Sequence, residues 1–210
     1  MKTSEAGKVM IVRFLHIVYA KLFALIFASL LVTMLGGCAG VLFGSAVTGA
    51  AVANDTRTAG SVIEDQTIEL KATELIWKDP ELKDQSHISA TSYNQIVLLT
   101  GQTPTQAMRD RVEAKIAGIE RVRHIYNELS IAAPNSLSAR SSDTVLTAKV
   151  KAKLIAAKDI DGTKVKVVTE NGVVYLMGLL AGSNADQAAS AASTVGGVQK
   201  VVKLFEAPHS

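Results

Sequence analysis

From residue 65 onward the apolar positions follow two alternating periods, one near 3.6 residues and one of two. Ile68, Ala72, Leu75 and Ile76 share one face of a helix expected over residues 68–78, with Asp65 as its N-cap and Asp79-Pro80 as its end. Residues 87–92 then alternate, with Ile88, Ala90 and Ser92 to one side. Tyr93-Asn94 supplies a turn, and the aliphatic stretch 95–100 returns as a strand closed by Gly101. Pro104 opens a second helix over 105–117, with Met108, Val112 and Ile116 in phase and Gly118 as its stop. A closing strand is expected over 120–131.

Residues 133–142, with Pro134, Asn135 and several serines, read as a linker. The order then repeats. Asp143 is the expected N-cap of a helix over 145–158, and a strand follows over 164–169. Asn171-Gly172 is a two-residue hairpin turn, and residues 173–177 return to Gly178. An alanine-rich helix over 183–195 stops at Gly196-Gly197, and a last strand covers 198–205. Gly101 and Gly178 are 77 residues apart, and Gly118 and Gly197 are 79 apart. The fold class expected is therefore α+β: two tandem αββαβ domains, each a small three-stranded mixed sheet with two helices on one face. Such small cores favour docking of one domain on the other. Leu70 and Trp77 lie on the side of the first helix away from Ile68, Ala72 and Leu75, and are the expected contact residues, with the tether as the alternative cover for them. Tyr93 and Tyr126 are further candidates.

The amino-terminal pattern is of another kind. Lys2, Lys8, Arg13 and Lys21 surround the start of an apolar run over 22–32, which ends in Leu35-Gly36-Gly37-Cys38. Positive charge, an apolar stretch, small residues and a cysteine, in that order, make an export signal ending in a lipobox. Gly36 stands where Ala or Ser is more usual. The apolar run is well short of the ~20 residues that cross a bilayer. Translation from Met1 or from Met10 would suit the pattern equally. The chain therefore divides into a signal peptide (1–37), an acylated Cys38 with an uncharged Ala/Gly tether (38–62), a first domain (63–132), a linker (133–142) and a second domain (143–207).

Charge and chemistry narrow the function. The net charge of +3 belongs to the signal, because residues 38–210 carry 18 basic and 18 acidic side chains. Nucleic acid is thus not an expected partner. Cys38 is the sole cysteine, so no internal disulfide forms. His87, His124 and His209 are single and lack ligands at metal spacing, and neither a nucleophile elbow nor a phosphate-binding glycine loop is present. Asp159 and Asp161 ahead of Gly162 read as a turn. No enzyme activity, metal or cofactor is expected. The helix over 145–157 is more informative. Leu146, Val150, Leu154 and Ala157 form its core stripe, while Val145, Ala148, Ala152, Ile155 and Ala156 lie opposite, edged by Lys149, Lys151 and Lys153. Lys158, Lys164 and Lys166 follow nearby. An apolar strip edged by lysines suits anionic headgroups. A solvated lysine face on a helix stabilised by alanine is the alternative.

Gly172-Val173-Val174-Tyr175-Leu176-Met177-Gly178, then an alanine-rich helix and Gly197-Val198-Gln199-Lys200-Val201, resembles the BON-domain signature. Ile96 to Gly101 and Gly118 to Val122 repeat the frame in the first domain. Two such domains behind a lipobox resemble the dual BON-domain outer-membrane lipoproteins of Gram-negative bacteria. The resemblance implies a lipid-anchored protein facing the periplasm that supports outer-membrane integrity, including at division sites. It also implies that the second domain binds anionic phospholipid (phosphatidylglycerol, cardiolipin) through its first helix. The residues then concerned are Val145, Ala148, Lys149, Lys151, Ala152, Lys153, Ile155 and Ala156. The family helix begins with a tryptophan where this chain has Val145. Ala39 after the cysteine is consistent with sorting to the outer membrane. A scaffold that recruits envelope or division proteins through the first domain is the alternative function.

Overall fold

The computed structural model describes residues 57–208; the signal segment, Cys38 and His209 lie outside the described residues. Helix α1 (Ala59–Trp77) begins seven residues ahead of the position expected from Asp65 as its N-cap. Its N-cap is Thr58, whose hydroxyl accepts from the Ser61 N–H at 3.1 Å. Asp65 lies inside the helix and is buried, because it falls in phase with Ile68, Ala72 and Ile76 and so faces the core. Its carboxylate accepts from the backbone N–H groups of Asn94 and Gln95, both at 2.7 Å, and from the Ser92 hydroxyl at 2.6 Å. Arg57 pairs with the same carboxylate at 2.5 Å.

The second domain repeats this device. Helix α4 (Leu137–Ala156) is capped by Ser136, whose hydroxyl accepts from the Ala139 N–H at 3.2 Å, so six of the ten residues of the expected linker are helix. Asp143, expected as the cap, is instead buried mid-helix and accepts from the N–H groups of Asn171 (2.8 Å) and Gly172 (2.9 Å). Both anchored turns hold two residues in the left-handed region, Asn94 and Gln95 (φ 52° and 66°) and Asn171 and Gly172 (φ 49° and 74°). Each aspartate ties the first helix of its domain to the tip of the following hairpin. Asp143→Ala would take the acceptor from the buried Gly172 N–H and the part-buried Asn171 N–H and is expected to cost about 3 kcal/mol. Urea unfolding of the variant beside Asp143→Asn, which keeps one acceptor and loses less, checks the assignment.

Between these landmarks lie α2 (Pro80–Gln85), β1 (His87–Tyr93), β2 (Ile96–Thr103), α3 (Gln106–Ala117), β3 (His124–Asn127) and β4 (Ser130–Ile131). Asp79-Pro80 ends α1 and also starts α2, since Asp79 accepts from the Leu82 N–H and proline suits a first helical position. After α4 come a 3₁₀ turn (Gly162–Lys164), β5 (Lys166–Glu170), β6 (Val173–Leu179), α5 (Ser183–Ser193) and β7 (Lys200–Glu206). In the first sheet β2 pairs antiparallel with β1 and parallel with β3 and β4. The closing strand expected over 120–131 is thus split in two, and Leu129 between the pieces turns into the core. In the second sheet β6 is central, antiparallel to β5 and parallel to β7.

The central strands are apolar on both faces. Val97 and Leu99 pack under α1 and α3, and Val174 and Leu176 pack under α4 and α5. The alternate residues Tyr93, Ile96 and Leu98 meet Tyr175, Met177 and Leu204 in a third cluster that joins the sheets face to face. The layers therefore run helix, sheet, sheet, helix, and the helices face outward on opposite sides. Tyr93 lies in the joining cluster and Tyr126 packs against it. Leu70 and Trp77 do not take part in domain contact: they are 73% and 63% exposed, because α1 covers the far side of its sheet. Polar ties edge the seam. Glu206 accepts from Asn94 (2.8 Å) and Arg123 (2.9 Å), and Glu170 accepts from Gln102 (2.6 Å) and Asn135 (2.9 Å). Burial, with the charges of Glu128 and Glu170 nearby, pushes the Tyr175 phenol up to about 12. Burial and then the Arg140 charge hold His87 below the usual histidine value.

Candidate functional site

Helix α4 turns Leu146, Val150 and Leu154 into the core of the second domain, which leaves the opposite face outward. Val145 and Ile155 are 52% and 55% exposed there. Ala148, Lys149, Lys151, Ala152, Lys153 and Ala156 are exposed around them, so all eight residues singled out from the sequence share one accessible surface. The inter-sheet seam leaves that surface uncovered because it uses the other side of the second sheet.

The charges on this face differ from those elsewhere. Lys149, Lys151, Lys153 and Lys158 have no carboxylate partner among the described residues. Most cations of the first domain are paired, with Lys78 on Glu74, Arg111 on Glu81, Lys115 on Asp79 and Arg121 on Glu64. Lys164 and Lys166 do not extend the free cluster, because Asp161 (3.3 Å) and Glu69 (4.0 Å) engage them. An unpaired lysine row beside exposed aliphatic side chains can meet a surface that supplies anions above an apolar layer.

A groove of about 600 Å³, not foreseen from the sequence, runs beside the amino-terminal half of α4. Its walls include Ser142, Val145 and Lys149 from the helix, Asn171-Gly172 from the hairpin turn and Gly196-Gly197 from the loop between α5 and β7. Among the described residues no cluster of three or more His, Cys, Asp or Glu side chains could hold a metal ion. No helix among them is long and apolar enough to cross a membrane. His124 packs edge-on against Tyr126, with ring centroids 4.6 Å apart.

Two αββαβ units packed back to back through their sheets define a tandem-repeat α+β protein. The BON-domain family model matches residues 64–133 and again 142–207, and the chain belongs to that family. It is 40% identical over 172 residues to the outer membrane lipoprotein DolP of Haemophilus influenzae, covering 82% of this chain and 89% of the relative. A 21 kDa hemolysin of Actinobacillus pleuropneumoniae is 39% identical over 72% of this chain and 78% of its own length. The osmotically-inducible protein Y of Escherichia coli is 30% identical over 68% of this chain and 72% of its own. These relatives place the chain among the dual BON-domain outer-membrane lipoproteins.

Proposed function

We propose that the chain is acylated at Cys38, faces the periplasm and binds anionic phospholipid, phosphatidylglycerol or cardiolipin, through the outer face of α4. On this reading it supports outer-membrane integrity, including at division sites, and performs no chemistry of its own. The observation that carries it is the row of exposed, unpaired lysines at positions 149, 151 and 153 beside Val145 and Ile155. Each lysine near an anionic surface adds about 1 kcal/mol, so the helix alone binds weakly and in a salt-sensitive way. The acyl chains on Cys38 supply attachment, while α4 selects the lipid. Residues 51–210 suit the test, since all three buried clusters close among described residues within them. The segment is expected to co-sediment with phosphatidylglycerol vesicles at low salt, to leave them near 0.5 M salt, and to ignore phosphatidylcholine vesicles. Equal binding to both lipids would overturn the reading. Incorporation of labelled palmitate by the full chain, lost in Cys38→Ser, tests the anchor separately.

A scaffold role through the first domain is the second reading. Ile63, Leu70 and Trp77 support it, because they recur every seven residues along the outer face of α1 and remain exposed. It calls for specific co-purification of an envelope protein with the full chain, lost in Trp77→Ala with Leu70→Ala.

A further inference from the structure

Each sheet closes on a strand with one open side, and the two domains treat that side differently. In the first domain β3 stops after Asn127. The Arg109 guanidinium donates to the Asn127 carbonyl at 2.5 Å, and the Asn127 side-chain amide donates to Glu113 at 2.8 Å. Leu129 then turns into the core. The Arg123 N–H donates to the Gln95 carbonyl at 2.9 Å, which marks the odd positions as those bonded to β2. Only His124 and Tyr126 are left in this strand to present backbone groups outward.

The second domain lacks this closure. Buried Val112 and Ile116 of α3 correspond to buried Ala188 and Ala192 of α5, each 76 residues further on. The same step puts Ala185 in the place of Arg109, Ala189 in that of Glu113 and Lys203 in that of Asn127. No side chain holds this strand short, and β7 runs for seven residues, Lys200–Glu206, in unbroken register with β6. The Gln199 N–H donates to the Gly172 carbonyl at 2.9 Å, so here too the odd positions face inward. Lys200, Val202, Leu204 and Glu206 therefore turn their N–H and C=O groups to the open side, where no hydrogen bond engages them among the described residues. Strand β1 is equally long, but the Glu69 carboxylate covers its outward Ser92 N–H at 2.9 Å.

The side chains of β7 also fit a strand with a neighbour missing. Val201 and Phe205 reach the helix-side core and Val202 reaches the inter-sheet cluster, yet all three stay half-buried. Lys200 is exposed and has no carboxylate partner among the described residues, and Lys203 reaches Asp186 at 2.7 Å, a pair open to solvent. Lysines on an open edge repel indiscriminate strand pairing. They leave an acidic strand as the favoured one.

We propose that β7 is a docking edge for an extended, acidic segment of a partner protein, which joins the second sheet as a fourth strand. Main-chain hydrogen bonds to Lys200, Val202 and Leu204 supply the attachment. Apolar side chains at alternate positions complete the cover of Val201, Val202 and Phe205, and carboxylates meet Lys200 and Lys203. The edge belongs to neither the outer face of α4 nor that of α1, so the proposal stands apart from both readings above.

A capped peptide of alternating valine and glutamate, titrated into residues 51–210 and followed by amide NMR, tests it. Saturable shifts along β7 are expected, and the Val202 and Leu204 amides should exchange with solvent at least tenfold more slowly once they gain acceptors. The same peptide with lysine for glutamate, or with alternate peptide nitrogens methylated, is expected to bind at least tenfold more weakly. Val202→Pro removes one outward donor and leaves the bonds to β6 in place, a substitution that edge strands accept. It is expected to weaken peptide binding at least tenfold. Lys200→Glu with Lys203→Glu alters exposed positions alone and gives the same loss should the proline perturb folding. Absence of binding, shifts confined to α4, equal binding of the methylated or lysine peptide, or undiminished binding by folded variants would overturn the proposal. So would a dimer of the chain alone, seen by sedimentation equilibrium and lost in Val202→Pro, since a second copy would then own the edge.

Discussion

Gly101→Ala is expected to destabilise the protein by about 3 kcal/mol or more, enough to lower Tm by roughly 10 °C. Gly101 sits inside β2 rather than at its end, at φ 118°, opposite Ile88. A Cβ there would stand 2.0 Å from the His87 carbonyl oxygen and 2.9 Å from its carbon. Both atoms are backbone, so only a shift of β1 relieves the clash, and that shift would break the ladder that carries Tyr93 into the inter-sheet cluster. Gly178 is the matching residue of the second domain, and the contrast is the useful part. Its added Cβ would meet the Lys164 carbonyl oxygen at 3.0 Å without a left-handed φ, a contact that a small local movement relieves. Gly178→Ala is expected to cost about 1 kcal/mol. Thermal unfolding of the pair should separate them clearly; equal losses would contradict the strand geometry.

The second large effect belongs to the lysine face. Lys149→Glu with Lys153→Glu replaces two attractions to an anionic surface by two repulsions, a change of about 4 kcal/mol, or near a thousandfold in partitioning. Both side chains are exposed and make no ion pair among the described residues, so the fold should be unaffected and the circular dichroism and Tm unchanged. Co-sedimentation with phosphatidylglycerol vesicles should disappear at salt concentrations where the wild type binds. The same pair of reversals at Lys78 and Lys83, next to Trp77 on the opposite outer face, should leave binding nearly as it was. If that control lost binding equally, overall charge rather than the α4 face would be responsible.

The repeat, the turn at Asn171-Gly172 and the core stripes of α1, α3 and α4 were legible because each rests on local periodicity. Asp65 and Asp143 show where such reading stops. An aspartate ahead of an apolar run resembles an N-cap, yet 65, 68, 72 and 76 share one phase, as do 143, 146, 150 and 154. A carboxylate within a core stripe must find buried donors, and those lie some 30 residues away at the hairpin tips. The domain contact was misplaced for a related reason. Ile96 and Leu98 alternate with Val97 and Leu99, so β2 is apolar on both faces and must be covered twice. That pattern points to sheet-against-sheet packing and releases Leu70 and Trp77 to solvent. The eight α4 positions could be read because amphipathic phase alone turns them outward. The groove could not, since it depends on Ser142, Gly172 and Gly197 meeting from three separate elements. Aligning the two repeats residue by residue is the signal that would have shown it, because Glu64 and Arg121, paired in the first domain, give way to Ser142 and Gly197 in the second.

Amide shift mapping of residues 51–210 against phosphatidylglycerol and phosphatidylcholine micelles tests the central claim most directly. Perturbations should cluster along α4 from Val145 to Ala156, arise only with the anionic lipid and fade with salt. Shifts centred on Ile63, Leu70 and Trp77, or equal responses to both micelles, would contradict it.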